Sequence, residues 1–216
     1  MPGRRRARAT ARGKLDATPP WETRVRDEPI PTSGPWDERD APVDELVRVD
    51  LGALRVPVSP GIDLRLEMND AQQVIAANLS GRDGHMQLGV FAAPRNEGIW
   101  DEVRAEIAAS MNAQRGTPKE RTDGPFGPEM HGKLPDPGGG MVPVRFIGVD
   151  GPRWFLRAMI VGPAATDATK AERFERALRD VVVVRGNEPY PAREPVALRL
   201  PKEILEQGGE QQVGLP

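Results

Sequence analysis

The chain has 216 residues, 38% of them hydrophobic and 29% charged, with a formal net charge of -2. That is apolar material for one ordinary core, and a single folded domain of roughly 140 to 160 residues is expected once the polar ends are set aside. Cysteine is absent, which excludes disulfides, thiolate metal sites and a cysteine nucleophile, and no run approaches the roughly 20 apolar residues of a membrane span.

Residues 1–14 hold Arg4, Arg5, Arg6, Arg8, Arg12 and Lys14 and no acid, and residues 15–50 reverse the balance with ten acids against Arg24, Arg26, Arg39 and Arg48. Low hydrophobicity, many prolines and blocks of like charge predict that residues 1–50 are a disordered, basic-then-acidic arm. The basic start runs into LDATPP rather than an apolar leader, so a cytoplasmic protein is expected. The six basic residues are candidate contacts for non-specific nucleic acid, because clustered arginines release phosphate counterions. The same arm fits a solubility role, or pairing with its acidic neighbour. Trp21 and Trp36 are unusual in such a linker and are candidate docking or partner contacts. GPWDERDAP at 34–42 reads as an ordered turn.

The folded domain is expected over 51–187. Ile62 to Met68 alternates, with Ile62, Leu64, Leu66 and Met68 on one face and Asp63, Arg65 and Glu67 on a wet one. A turn at Asn69-Asp70 and a loop at Gly81–Gly84 lead to strands at Gln73–Leu79 and His85–Ala92, an antiparallel meander. Between Gly98 and Ala113 the period changes. Ile99, Val103, Ile107 and Met111 stand four apart with Trp100 beside them, which predicts an amphipathic helix whose solvated side carries Asp101, Glu102 and Glu106. Short strands are expected near Arg121 and Met130, and PDPGGG at 135–140 is a loop.

The stretch RFIGVDGPRWFLRAMIVGPA at 145–164 predicts a hairpin turning at Asp150-Gly151 or Gly151-Pro152. Either turn gives the same faces. One carries Arg145, Ile147, Val149, Trp154, Leu156, Ala158 and Ile160; the other carries Val142, Val144, Phe146, Phe155, Arg157 and Met159. Both are largely apolar, so the hairpin belongs at the centre of a sheet covered on both sides. Arg145 and Arg157 then point to opposite faces. Each must reach solvent or meet a buried acid.

A second helix is predicted from about Asp167, its N-cap, to Val181, with Ala171, Phe174, Leu178 and Val181 as its apolar stripe. Val181 to Val184 favours a strand. The segment 188–216 is an extended, proline-rich tail whose Val196, Leu198 and Leu200 alternate, which suits the domain surface or a sheet edge. Tyr190 and Arg193 are its candidate partner contacts. Three strands, a helix, about four strands and a helix make an α+β fold, a mostly antiparallel sheet flanked by two amphipathic helices, similar by analogy to the Mog1 and PsbP arrangement.

No catalytic, cofactor-binding or metal residue is expected. Ser33, Ser59, Ser80 and Ser110 stand in no nucleophile motif. His85 and His131 lack ligand spacing, and no glycine-rich loop has the form of a phosphate cradle. Asp150 reads as a turn former.

With these segments in hand, the chain resembles the actinobacterial family of uncharacterised proteins catalogued as domain of unknown function 3710. The matching stretches are GPWD at 34–37, RVDLGALRVPV at 48–58, FAAPRNEGIWDEVRAEIAAS at 91–110, the hairpin at 145–164 and VVVVRGNEPYPAREPVALRLP at 181–201. The resemblance implies a cytoplasmic protein of GC-rich bacteria, in accord with 25 arginines against 5 lysines. It supplies no reaction, ligand or site residue. Three function classes remain open: a non-enzymatic module for an unknown protein partner, a nucleic-acid-associated protein using the arginine arm, and a small-molecule binder or enzyme with a polar cluster inside the fold.

Overall fold

The structure, a computed structural model, describes residues 32–70, 73–95 and 97–201. All of these belong to one compact unit spanning 31–216. In chain order come β1 (Trp36–Asp37), β2 (Arg48–Asp50), β3 (Leu54–Pro57), β4 (Ile62–Met68), β5 (Val74–Gly81) and β6 (Gly84–Ala92), then α1 (Trp100–Ala113). The second half holds β7 (Lys119–Gly124), β8 (Gly127–Pro135), β9 (Met141–Gly151) and β10 (Trp154–Val161), a 3-10 turn at Pro163–Ala165, α2 (Ala168–Arg179) and β11 (Val182–Val183). The fold is α+β, as expected.

Two meanders, β4-β5-β6 and β7-β8-β9-β10, join by pairing β6 with β10. The result is a seven-stranded antiparallel sheet in the order β4-β5-β6-β10-β9-β8-β7. A smaller sheet runs β1-β11-β3-β2, with β1 parallel to β11. In the central hairpin Ala158 faces Ile147, Leu156 faces Val149 and Trp154 faces Gly151. The turn is therefore Pro152-Arg153, not either of the two expected. Proline presets the first turn position, and Arg153 takes a φ of 65° at the second. All three turns differ by whole pairs, so the faces stay as read.

Different elements pack on those faces. Leu156, Ala158, Ile160 and Ile147 join Leu79, Met86 and Leu88 beneath α2 and the smaller sheet, which adds Leu51, Leu54, Val56 and Val183. Full burial of Phe174 and Leu178 stabilises by roughly 1.5–3 kcal/mol each. An exposed pair such as Arg176 with Glu172 contributes far less, so the apolar stripe holds α2 in place. On the other face α1 packs against β8 and β9, setting Ile99, Trp100 and Met111 on Met130, Val144, Phe146 and Phe155. Trp100 sits where a side chain at 148 would stand; a Cβ on Gly148 would lie 2.2 Å from its ring. It stacks on Phe155 at 5.8 Å and donates its indole N–H to the Pro128 carbonyl at 2.7 Å.

The helices start differently. Asp167 caps α2 as expected, accepting from the amides of Thr169 and Lys170 at 3.0 and 3.2 Å. The residue before α1 is Ile99, which has no side-chain acceptor. Asp150 supplies one from β9, taking the amides of Ile99 and Trp100 at 2.8 and 3.2 Å. Asp150 is thus a helix cap delivered across the fold, where the sequence suggested a turn former.

Two boundaries expected from composition also move. Residues 36–37 and 48–50, placed in a disordered arm, are strands of the smaller sheet. Asp37 accepts the Trp154 indole N–H at 2.8 Å, which joins the GPWD segment to the central hairpin. Residues 188–201, placed in a tail beyond the domain, are built into it. β5 pairs with β6 only up to Leu88, and beyond that point the tail takes over the exposed edge of β6. Arg193 donates its amide to Ala92, Ala92 to Glu194, and Val196 to Val90, at 2.7 to 2.8 Å. Val196 and Leu198 are buried in the main core.

Candidate functional site

Arg4, Arg5, Arg6, Arg8, Arg12, Lys14 and Trp21 lie outside the described residues. The three remaining candidate contacts are engaged by their own chain. Trp36 is half-buried and pairs with Val182. Tyr190 lies under the Arg185 guanidinium, 4.7 Å from ring centre, and its hydroxyl donates to Glu188 at 3.3 Å. Arg193, held at a φ of 70°, bonds Glu106 at 2.7 Å and also Glu102, so two acids on the solvated side of α1 clamp the tail. The structure brings none of these residues together in one site.

Among the described residues no group of three or more acidic or histidine side chains is placed to hold a metal, and no helix is long and apolar enough to cross a membrane. Strand register does set Asp63, Ser80 and His85 side by side across β4, β5 and β6. No hydrogen bond joins them, and His85 is exposed, so the row is not a nucleophile with its base. A shallow pocket beside the β8–β9 turn, lined by Met141, Val142, Pro143 and Pro163, has Asp136 as its one titratable side chain.

Charge is concentrated instead on the α2 side of the main sheet. Arg145 and Glu129 are buried, and two parallel N–H···O bonds of 2.7 and 2.8 Å join them. Arg145 also donates to Glu175 of α2 at 2.7 Å, and His131 meets the Glu129 carboxylate at 2.9 Å. Burial pushes the Glu129 carboxyl up, but the bonds from His131 and Arg145 outweigh it and hold the group below its ordinary value. Burial likewise pushes Arg145 down, and its two carboxylate partners reverse that and raise it. Arginine suits this position because its planar fork matches a carboxylate bidentately. Every polar atom here is answered, and the cluster staples α2 and β8 to β9. The sequence left Arg145 to reach solvent or to meet a buried acid, and the structure shows the second. It did not identify Glu129 or Glu175, because pairing across β8 and packing against α2 are not local.

The α1 side is half covered. Beyond the helix, over β4, β5, β6 and the far half of β10, the inward row reads Arg65, Glu67, Asn78, Gln87, Phe91, Arg157 and Met159, all half-buried or exposed. Glu67 accepts from Gln87 at 2.6 Å and from Asn78 at 3.2 Å, which fixes a polar rib across three strands. Arg157 stands at its inner end. Its neighbours in register are Gly89 and Gly148, neither of which has a side chain to offer, and its guanidinium lies 5.2 Å from the Phe91 ring centre. No acid meets it among the described residues. Burial pushes its pKa down, and nothing raises it. A half-buried guanidinium on an aromatic ring, with amide side chains beside it, can accept a carboxylate or another anion through two parallel bonds. The sequence marked Arg157 as an oddity on an apolar face. That it has no partner emerges only from the register.

The GPWD and hairpin segments that carry the resemblance are thus joined through Asp37 and Trp154, and the tail segment through Val90 and Ala92. No curated protein matches the chain. The profile of a family described as Protein of unknown function (DUF3710) matches residues 34–207, and the chain belongs to that family.

Proposed function

We propose that the chain is a non-enzymatic module that binds another protein, and that the half of the seven-stranded sheet left uncovered by the described residues is its contact surface. The observation that carries this reading is Arg157, a guanidinium half-buried on the sheet with no acid among the described residues to meet it. A charge in that position is costly unless something pairs with it. A partner segment that sets an aspartate or glutamate on Arg157 and apolar side chains on Phe91 and Met159 supplies that pair. The polar rib of Glu67, Asn78 and Gln87 then supplies register and specificity, since it can both accept and donate.

Selection of displayed random peptides on the intact chain tests the reading. Acidic, partly apolar peptides are expected, with affinity reduced about tenfold or more against Arg157→Met, the scale of a lost charge-assisted pair. Peptides without acidic enrichment, or with equal affinity for the variant, would overturn it. A second reading, non-specific nucleic-acid association, rests on the six basic and no acidic residues of 1–14. It predicts binding that weakens steeply with salt and is lost on removal of residues 1–14.

A further inference from the structure

The outer edge of β4 is open: among the described residues this strand pairs with β5 alone. Edge strands are usually blunted by shortness, bulges, proline or lysine. The opposite edge, β7, follows that rule, with Lys119, Glu120, Arg121 and Asp123 exposed in a row and a break in its ladder between Arg121 and Gly124. β4 is guarded less: its charges, Asp63, Arg65 and Glu67, alternate with Ile62, Leu64 and Leu66, it contains no proline, glycine or lysine, and its ladder stays regular until the step between Glu67 and Met68.

The edge also complements itself. Asn69 donates its amide to the Gln73 carbonyl, so alternation turns the amides of Arg65 and Glu67 toward β5 and those of Leu64 and Leu66 outward. We propose that β4 pairs antiparallel with β4 of a second copy of this chain, about a two-fold axis at Leu64. That register sets Leu64 against Leu64, Ile62 against Leu66, and Asp63 against Arg65, each unlike pair occurring twice by symmetry. The Ile62 amide stays with the Ser59 carbonyl at 3.1 Å, so Leu64 and Leu66 are the amides that donate across the axis. Both charged residues are exposed and free to meet their counterparts. Centred on Arg65, the strands would oppose Arg65 to itself and Asp63 to Glu67, all repulsive. Centred on Leu66, they would need Glu67, already engaged by Gln87 and Asn78, and would set Ile62 against Asp70. The Leu64 register avoids both faults.

Two seven-stranded sheets thereby become one continuous sheet. A single strand pair buries less than the roughly 1,200 Å² of a standard interface, so the dimer is expected to be weak and concentration-dependent. Sedimentation equilibrium of the full chain over a concentration series tests it. Monomer–dimer behaviour is expected, with Arg65→Asp raising the dissociation constant about tenfold, the order for two cross-strand pairs turned from attraction to repulsion. The double variant Asp63→Arg, Arg65→Asp makes every charged pair unlike in the Leu64 register alone, since the aspartate introduced at position 65 would face Glu67 in the Leu66 register and its own copy in the Arg65 one. It is expected to dimerise like the parent. A monomer at every concentration up to the solubility limit overturns the proposal. So does a dimer indifferent to Arg65→Asp, or a double variant that stays monomeric while its far-UV circular dichroism matches the parent.

Discussion

The two arginines of the central hairpin are twelve residues apart, on adjacent strands, and point to opposite faces of one sheet. Arg145 faces α2, where Glu129 and Glu175 meet it and burial is nearly complete. Arg157 faces the α1 side beyond the end of that helix, where two glycines flank it and an aromatic ring lies beneath it. The difference lies in the cover. Where α2 packs down, Glu129 and Glu175 meet the cation it buries. Where cover stops, no acid among the described residues meets Arg157. The first face is built for stability, and the second is where an external group has something to gain.

The strongest way to break this contrast is to remove each arginine. Arg145→Met leaves Glu129 and Glu175 without their shared cation, Glu129 fully buried, and should destabilise the fold by about 3–5 kcal/mol, read from denaturant unfolding. A loss under about 1 kcal/mol would mean that the cluster behaves like a surface pair and that the two faces do not differ as argued.

Acid titration sharpens the same point. Glu129 is held below its ordinary value of 4.5 in the folded state, so it contributes stability that is fully present above that pH. The contribution is lost as pH falls through the lower folded value. The parent should therefore lose stability below about pH 4.5, and in Arg145→Met this part of the acid loss should shrink, because one of the two groups that hold the carboxylate down, His131 being the other, is gone. Equal acid sensitivity in both proteins would place the effect elsewhere.

How far the sequence carried the reading follows the range of each interaction. Strand β4 was legible to the residue because alternation is local, and α2 with its Asp167 cap was legible for the same reason. The hairpin faces survived a mistaken turn, since every candidate turn shifted the register by whole pairs. Charge composition misplaced residues 36–37 and 48–50, because a short strand such as Trp36–Asp37 is held by its partners, Val182 and Trp154, and not by its own sequence. Asp150 misled for a related reason. An aspartate before a glycine is a common turn signal, but here its carboxylate faces a helix start fifty residues upstream. Replacing it by asparagine keeps one acceptor oxygen and should cost no more than about 1 kcal/mol. An alanine there, which keeps none, should lose more.

The smallest expected change in stability is the one that matters most for function. Arg157→Met removes a cation that no acid among the described residues answers, and it keeps an unbranched side chain able to lie on Phe91. Stability should hold within about 0.5 kcal/mol or rise slightly, since the burial that pushes Arg157 down has no compensating partner to lose. If instead the variant is destabilised as strongly as Arg145→Met, then Arg157 is bound into the fold and the open face has no unmet charge. A variant that is as stable as the parent yet fails to bind acidic peptides separates the two roles. It would show one sheet using its two hairpin arginines differently, one to fix a helix and the other to receive a ligand.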